Sequence, residues 1–221
     1  MKQVALITGA SRGIGKACAE LFIENGIVVL APSRSEMDLT SSESIRNYIA
    51  SLDCKIDILI NNAGINPIAN ITELDFETSH TLMQTNFWAP TLLINLLAPQ
   101  MKAQAYGRIV NTSSIWSTVT KGGRGMYASS KAALNALTRT AAVELAPYNV
   151  LVNAVAPGYV HTELTAVNNT PEQIEQIKQN LPIKRLAEPK EIAELIYFLC
   201  SSKNSFVTGQ TIIADGGYTI L

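Results

Sequence analysis

Residues 4–15 read Val4-Ala5-Leu6-Ile7-Thr8-Gly9-Ala10-Ser11-Arg12-Gly13-Ile14-Gly15, and this stretch decides the fold. Four apolar residues make a short buried strand. Glycines at 9, 13 and 15 let the chain turn tightly and bring its backbone close to a bound group. A helix opening near Gly13 presents unpaired amides and the positive end of its dipole, a natural seat for a pyrophosphate. A glycine cluster alone is often only a turn, so the rest of the chain has to support the reading.

Strand and helix patterns alternate downstream, which predicts a parallel sheet covered on both faces. Helix 14–24 ends at Asn25-Gly26, a stop signal, and strand 27–31 follows. Thr40-Ser41-Ser42-Glu43 is a capping-box pattern opening a helix to about Ser51. Strands follow at 56–60, 107–111, 150–156 and 211–213. Long helical stretches cover 75–104, with an interruption or bend expected near Pro90 and Pro99, and 127–146. Pro189 fits the first turn of a helix whose Ile192, Leu195, Ile196 and Leu199 form one apolar stripe. The expected architecture is α/β: a single-domain (1–221), Rossmann-type, doubly wound parallel sheet flanked by helices. One departure is visible. Only Pro32 to Glu36 separates the second strand from Met37-Asp38-Leu39, too short for the usual helix, so a brief or irregular third strand is expected at 37–39.

The chain has 221 residues, 47% hydrophobic and 16% charged, with a formal net charge of −1. That suits one domain with a substantial core and gives no global field toward nucleic acid or an acidic membrane. Three cysteines, Cys18, Cys54 and Cys200, lie far apart with no Cys-x-x-Cys. Neither a disulfide framework nor a metal site is indicated, and free thiols fit a cytoplasmic protein. The apolar run after Met1-Lys2 is too short for a secretory leader, and none is long enough to cross a bilayer.

Tyr127 and Lys131 form a Tyr-x-x-x-Lys, downstream of Thr112-Ser113-Ser114. Residues i and i+4 share a helix face, and a cation beside a phenol lowers its pKa toward the working range of an acid–base catalyst. At the end of the second strand, Pro32-Ser33-Arg34 carries no acid until Glu36. An acid there would accept from the ribose hydroxyls, whereas Ser33, Arg34 and Arg12 suit a 2′-phosphate. The cofactor expectation is therefore NADP(H) ahead of NAD(H).

Taken together, the motifs resemble the short-chain dehydrogenase/reductase family, over essentially the whole chain. They are Thr8-Gly9-x-x-x-Gly13-x-Gly15, Asp38-Leu39, Asn61-Asn62-Ala63-Gly64, Asn86, Ser114, Tyr127-x-x-x-Lys131, Pro157-Gly158, Thr162 and Asp215-Gly216-Gly217. The resemblance implies a catalytic set of Asn86, Ser114, Tyr127 and Lys131. Tyr127 handles the proton, Lys131 also bonds the nicotinamide ribose, Ser114 donates to the substrate oxygen and Asn86 anchors a relay water. The cofactor is expected on Thr8, Gly9, Ser11, Arg12, Gly13, Ile14, Gly15, Ser33, Arg34, Asp38 and Leu39. Its further contacts are Asn61, Asn62, Ala63, Gly64, Pro157, Gly158, Val160 and Thr162, together with Tyr127 and Lys131. Asp38 would take the adenine amino group, Asn61 to Gly64 the ribose and Thr162 the nicotinamide amide. Asn62 can also tie neighbouring strands.

The 3-oxoacyl carrier-protein reductase branch is the most similar, especially over 181–189 and 208–210, so a 3-oxoacyl thioester stands first as substrate. A sugar, polyol or other small carbonyl compound stands second, and a dinucleotide sensor without catalysis third. Carrier-protein reductases often show an arginine after the Glu-Leu-Ala of the catalytic helix; Ala146-Pro147-Tyr148 stands there, which puts acyl carrier protein docking in doubt. Segments 115–126 and 159–180 should border the substrate, with no obvious carboxylate-binding cluster in either. Family members are usually tetramers pairing helices 75–104 and 127–146, here through Ala128, Ala132, Ala133, Ala136, Ala141 and Ala142.

Overall fold

Neighbouring residues on each strand feed opposite cores, as the two-residue repeat of a strand requires. In the computed structural model, which describes residues 2–221, Leu6, Leu59 and Ile109 enter one buried cluster. Ala5, Ile7, Ile58, Ile60 and Val110 enter the other. The strands are β1 (Val4–Ile7), β2 (Val28–Leu30), β3 (Ile58–Asn61), β4 (Gly107–Thr112), β5 (Val150–Pro157) and β6 (Thr211–Ala214). They form a six-stranded sheet in the order β2-β1-β3-β4-β5-β6, with every pairing parallel.

Two helices cover one face: α1 (Gly13–Glu24) and α8 (Pro189–Cys200). On the other face lie α2 (Ser42–Ala50), α4 (Ala89–Ala103) and α5 (Gly125–Leu145). A short helix α3 (Phe76–Met83) leads into α4. Beyond β5 come α6 (Glu163–Val167) and α7 (Pro171–Asn180), the latter opened by a capping box between Thr170 and Gln173. Among the described residues no helix is long and apolar enough to cross a membrane.

The structure corrects three sequence expectations. First, 37–39 is no strand, and β2 is the sheet edge. Ser33 opens a single helical turn, its carbonyl accepting from the amides of Glu36 and Met37. That turn drops Met37 into the core against the same cluster as Ile45 and Ile56, so one methionine replaces a strand and a helix. Second, α2 is capped by Ser41, whose hydroxyl accepts from the Ser44 amide, while Thr40 donates to Asp38. Third, the interruption of the long helix is a π-turn at Gln84–Trp88, ahead of Pro90, and Pro99 sits inside α4.

A polar seam crosses the sheet beneath the site. Asn61 donates to Asn111 at 2.8 Å, Asn111 to the Thr138 hydroxyl at 2.9 Å, and that hydroxyl to the Leu134 carbonyl at 2.8 Å. It ties β3, β4 and α5 into one unit, so Tyr127 and Lys131 keep a fixed height over the strand ends.

Met37→Ala removes the plug at the shortened edge and is expected to cost about 2–5 kcal/mol, the range for truncating a large core side chain. Urea unfolding checks this; a midpoint equal to that of the wild type would show that the core can collapse around the missing side chain.

Candidate functional site

The carboxyl ends of β1, β3, β4 and β5 open into one cleft of about 680 Å³. It lies where the strand order reverses beside β1, the expected ligand crevice of an open parallel sheet. Its floor is the turn after β1. Gly9 has φ +67°, and a Cβ there would lie 2.8 Å from the Ala63 Cα, so glycine alone fits. Gly15 packs on the Gly9 carbonyl and on the Asn62 side chain instead of lining the cleft. Asn62 donates to the carbonyls of Thr8 and Gly9 at 3.1 Å each, and the Thr8 hydroxyl accepts from the amides of Asn62 and Ala63.

α1 starts without a side-chain cap and with no acidic residue in its first turn, so its orphan amides and dipole face the cleft uncompensated. Around it the cleft is lined by Thr8, Gly9, Ser11, Arg12, Gly13 and Ile14 from the turn and by Ser33, Arg34, Asp38 and Leu39 from the edge. Asn62, Ala63 and Gly64, then Pro157, Gly158, Val160 and Thr162, complete it. A pyrophosphate over Gly13 and a ribose against Lys131 fit this donor set.

Two expected contacts are placed elsewhere. Asn61 is buried in the polar seam with its amide on Asn111 and does not line the cleft. Asn86, fully buried in the π-turn, clamps the loop after Gly64: its carbonyl oxygen accepts from the Ile65 amide and its nitrogen donates to the Ile65 carbonyl, each at 2.9 Å. The same nitrogen reaches the Ser130 hydroxyl at 3.2 Å. Any water held by this residue must use its backbone carbonyl, and Pro90, having no amide hydrogen, cannot supply that carbonyl's α-helical bond.

The 2′-phosphate cradle expected from the sequence meets carboxylates. Arg12 pairs with Glu163 across the cleft mouth, and Arg34 lies 3.8 Å from Asp38. Glu36 folds back so that one carboxylate oxygen accepts from both the amide and the hydroxyl of Ser33, each at 2.7 Å. Those two bonds hold the Glu36 carboxyl below its ordinary pKa. Ser33-Arg34-Ser35-Glu36 has capping-box spacing, a signal the sequence carried and our reading of it passed over.

Ser114, Tyr127 and Lys131 converge at the inner end of the cleft, all buried. Lys131 Nζ donates to the Thr112 carbonyl at 2.7 Å and stands 5.7 Å from the Tyr127 ring centre. Burial lowers the lysine to about 8, which leaves it mainly charged at neutral pH. Burial also raises the Tyr127 phenol, against the opposing pull of the Ser114 hydroxyl and the Arg124 guanidinium. The lowering expected from Lys131 is not what acts on the phenol: desolvation raises it, and Ser114 and Arg124 oppose that rise. Packed with Tyr127, outside the residues that line the cleft, Trp116, Tyr159 and Tyr218 form an aromatic wall, meeting edge to face with centroids 6.1, 6.1 and 5.6 Å apart. Arg124, one turn before Tyr127, was missed by the sequence reading although it falls in the segment assigned to the substrate.

Known proteins with this arrangement are numerous. A family model described as enoyl-(acyl carrier protein) reductase matches residues 31–219, and one described as short chain dehydrogenase matches residues 3–47. An NAD-dependent glycerol dehydrogenase of Listeria innocua is 36% identical over 99% of this chain and 94% of its own. A 3-oxoacyl-[acyl-carrier-protein] reductase of Aquifex aeolicus is 36% identical over 97% of this chain and 96% of its own. Among solved structures, a 4-hydroxyisoleucine dehydrogenase complexed with NADH superposes with a TM-score of 0.94 at 30% identity, covering 100% of both chains. With the glycine turn, the Tyr-x-x-x-Lys helix and this full-length similarity in place, the chain belongs to the short-chain dehydrogenase/reductase family.

Proposed function

We propose that the protein interconverts a secondary alcohol and a ketone of a small polar compound, with Tyr127 as the proton-transfer group. The observation that carries this is the convergence of Ser114, Tyr127 and Lys131 at the inner end of a cleft whose outer end suits a dinucleotide. A nicotinamide dinucleotide, when bound, supplies or accepts the hydride. In reduction, Ser114 and Tyr127 hold the carbonyl oxygen by hydrogen bonds, and the oxygen takes the phenolic proton as carbon gains hydride. In oxidation the phenolate takes the proton of the alcohol. Lys131, anchored on the Thr112 carbonyl, sets a positive charge beside this exchange and stands ready for the ribose hydroxyls. The clamp of Asn86 on Ile65 keeps the Gly64 backbone pressed toward the lysine.

A 3-oxoacyl thioester, first from the sequence, is one candidate, but the outer surface gives it no added support: Ala146–Tyr148 forms a 3₁₀ turn with no arginine for an acidic carrier. A small polar alcohol is favoured instead by the similarity to a glycerol dehydrogenase and a 4-hydroxyisoleucine dehydrogenase. For the cofactor, the occupation of Ser33 by Glu36 and the pairing of both arginines weigh toward NAD(H), reversing the order expected from sequence. A 2′-phosphate would have to displace the Glu36 carboxylate or lie against it. NADP(H) remains the second reading because Arg34 is 81% exposed and able to turn.

We also expect a homo-oligomer. Ala141 and Ala142 pack on the home sheet, whereas Ala132 and Ala136 face outward together with Val143. Trp88 is exposed at the start of α4. Sedimentation at micromolar concentration is expected to show a tetramer; a monomer there would remove this reading.

Tyr127→Phe is expected to fold and bind cofactor while losing ~10²–10⁴ in turnover, the usual worth of general acid–base catalysis. Initial rates across a carbonyl and alcohol panel check this, and near-wild-type turnover would exclude Tyr127 from the chemistry. Because burial raises the phenol, alcohol oxidation should climb as pH rises above neutral and carbonyl reduction should fall. A flat oxidation profile counts against the same assignment. Glu36→Gln frees Ser33 and removes a like charge, so the ratio of NADPH to NADH affinity is expected to rise by roughly an order of magnitude in fluorescence titrations, a size typical of charged hydrogen bonds. An unchanged ratio would show that Glu36 has no say in cofactor choice.

A further inference from the structure

Two arginines are buried, and they differ in what they hold. Arg108, in β4, has an unpartnered Nε and no carboxylate, but it donates to the carbonyls of Gly107, Asn149 and Asn204 at 2.8, 3.0 and 3.5 Å and lies 4.5 Å from the Tyr106 ring centre. Arg124 is 3% exposed, and its Nε and Nη1 are buried with no hydrogen-bond partner among the described residues. No carboxylate pairs with it among the ion pairs of the described residues. A buried charge without a partner is strongly unfavourable, and a guanidinium cannot escape by losing its proton. Its place adds to the cost. Arg124 is the N-cap residue of α5, where the helix dipole favours an anion and disfavours a cation.

Arg124 does not line the cleft itself but lies beside its reacting end, where its charge reaches Tyr127. It stands three positions before Tyr127, so the two side chains share one face at the start of α5. Its charge acts on the phenols of both Tyr127 and Tyr159, and Tyr159 belongs to the aromatic wall with Trp116 and Tyr218. Lys121 brings a second cation: its Nζ lies 5.7 Å from the Trp116 ring centre, and it is partly desolvated and repelled by Arg124. The loop carrying both is pinned where the Gly123 carbonyl accepts from the Ala69 amide at 3.2 Å. Close behind Tyr127, beneath the lining of the cleft, the protein thus carries positive charge and two unpartnered guanidinium donors.

We propose that Arg124 is a substrate-binding residue that receives a carboxylate, so the substrate is a short hydroxy acid and the product the corresponding oxo acid. A carboxylate accepts two parallel bonds from adjacent guanidinium N–H groups, supplies the anion that the start of α5 favours, and gives a partner to one of the two orphaned donors. A neutral thioester or polyol offers no such charge. Arg124 stands one turn before Tyr127, so a substrate held by both would carry its carboxylate a short way from the carbinol carbon, and Lys121 would add long-range attraction. The net change is transfer of hydride from the carbinol carbon to the oxidised nicotinamide and of the hydroxyl proton to Tyr127; the carboxylate is unaltered. This rests on the proposed alcohol–carbonyl chemistry of the same site.

The test compares 3-hydroxybutyrate and 4-hydroxypentanoate with their methyl esters, using wild type, Arg124→Gln and Arg124→Lys with NAD⁺ and NADP⁺, and Tyr127→Phe as control. In the wild type the acids should exceed the esters in kcat/KM by at least tenfold. Arg124→Gln should lower that acid-to-ester ratio by roughly 10- to 100-fold, mainly through KM, and Arg124→Lys should restore part of it. Thermal melting separates this from a structural role: removing an unpaired buried cation is expected to hold or raise Tm, whereas removing a structural arginine would lower it. Esters that match acids in the wild type, or an Arg124→Gln ratio equal to that of the wild type, would overturn the proposal. If nothing in the panel is turned over, the alcohol–carbonyl reading itself fails for these compounds. Calorimetric titration of cofactor-saturated enzyme with succinate then decides the anion site separately: binding lost in Arg124→Gln upholds it, and no binding to the wild type sinks it.

Discussion

The clasp between the turn after β1 and the end of β3 is the constraint on which the site depends. The Thr8 hydroxyl accepts from two backbone amides of 62–63, and the Asn62 side chain returns two bonds to the carbonyls of Thr8 and Gly9. Four hydrogen bonds thereby hold two strand ends at one height and press Gly9 onto Ala63. Parallel strands cannot be joined by a tight hairpin, so their ends need this side-chain tie to act as one surface. With it, the start of α1 aims its amides across the cleft toward Lys131; without it, the glycine turn would be a mobile loop.

Deeper in, desolvation governs the chemistry. Tyr127 is raised and Lys131 is lowered to about 8 by the same burial. Here both groups move toward neutrality, and the smaller influences of Ser114 and Arg124 push the phenol back the other way. The i, i+4 spacing supplies proximity, while depth supplies the electrostatics. The spacing is visible in a sequence; the depth is not.

That distinction describes what was legible. Strand alternation, the Asn25-Gly26 stop and the Tyr-x-x-x-Lys helix rest on local patterns, and the structure follows them closely. The strand expected at 37–39 failed because Met37 is taken by the core before any edge pairing can form. The capping of α2 shifted by one residue because Thr40 was claimed by Asp38. Asn61 and Asn86 carry recognisable letters in recognisable places, yet their side chains face a buried seam and a loop clamp. Side-chain direction follows from packing across the sheet, which no short window of sequence contains. Arg124 stood in plain view as a basic residue after two glycines; only burial and the lack of a partner set it apart from a solvated surface charge.

The two ends of the cleft therefore discriminate by different physics. At the adenine end the ion pairs of Arg12 with Glu163 and of Arg34 with Asp38 lie in solvent, where such pairs contribute about 0–1 kcal/mol and are screened by salt. The loss of the usual strand and helix leaves that end built from a single turn, so its preference between two nicotinamide cofactors is expected to be shallow and sensitive to ionic strength. At the substrate end the proposed anion site is a buried charge beside aromatic rings, where a neutral ligand would leave its donors unmet. On this proposal, selectivity would belong to the substrate side, and the cofactor side would set affinity more than choice.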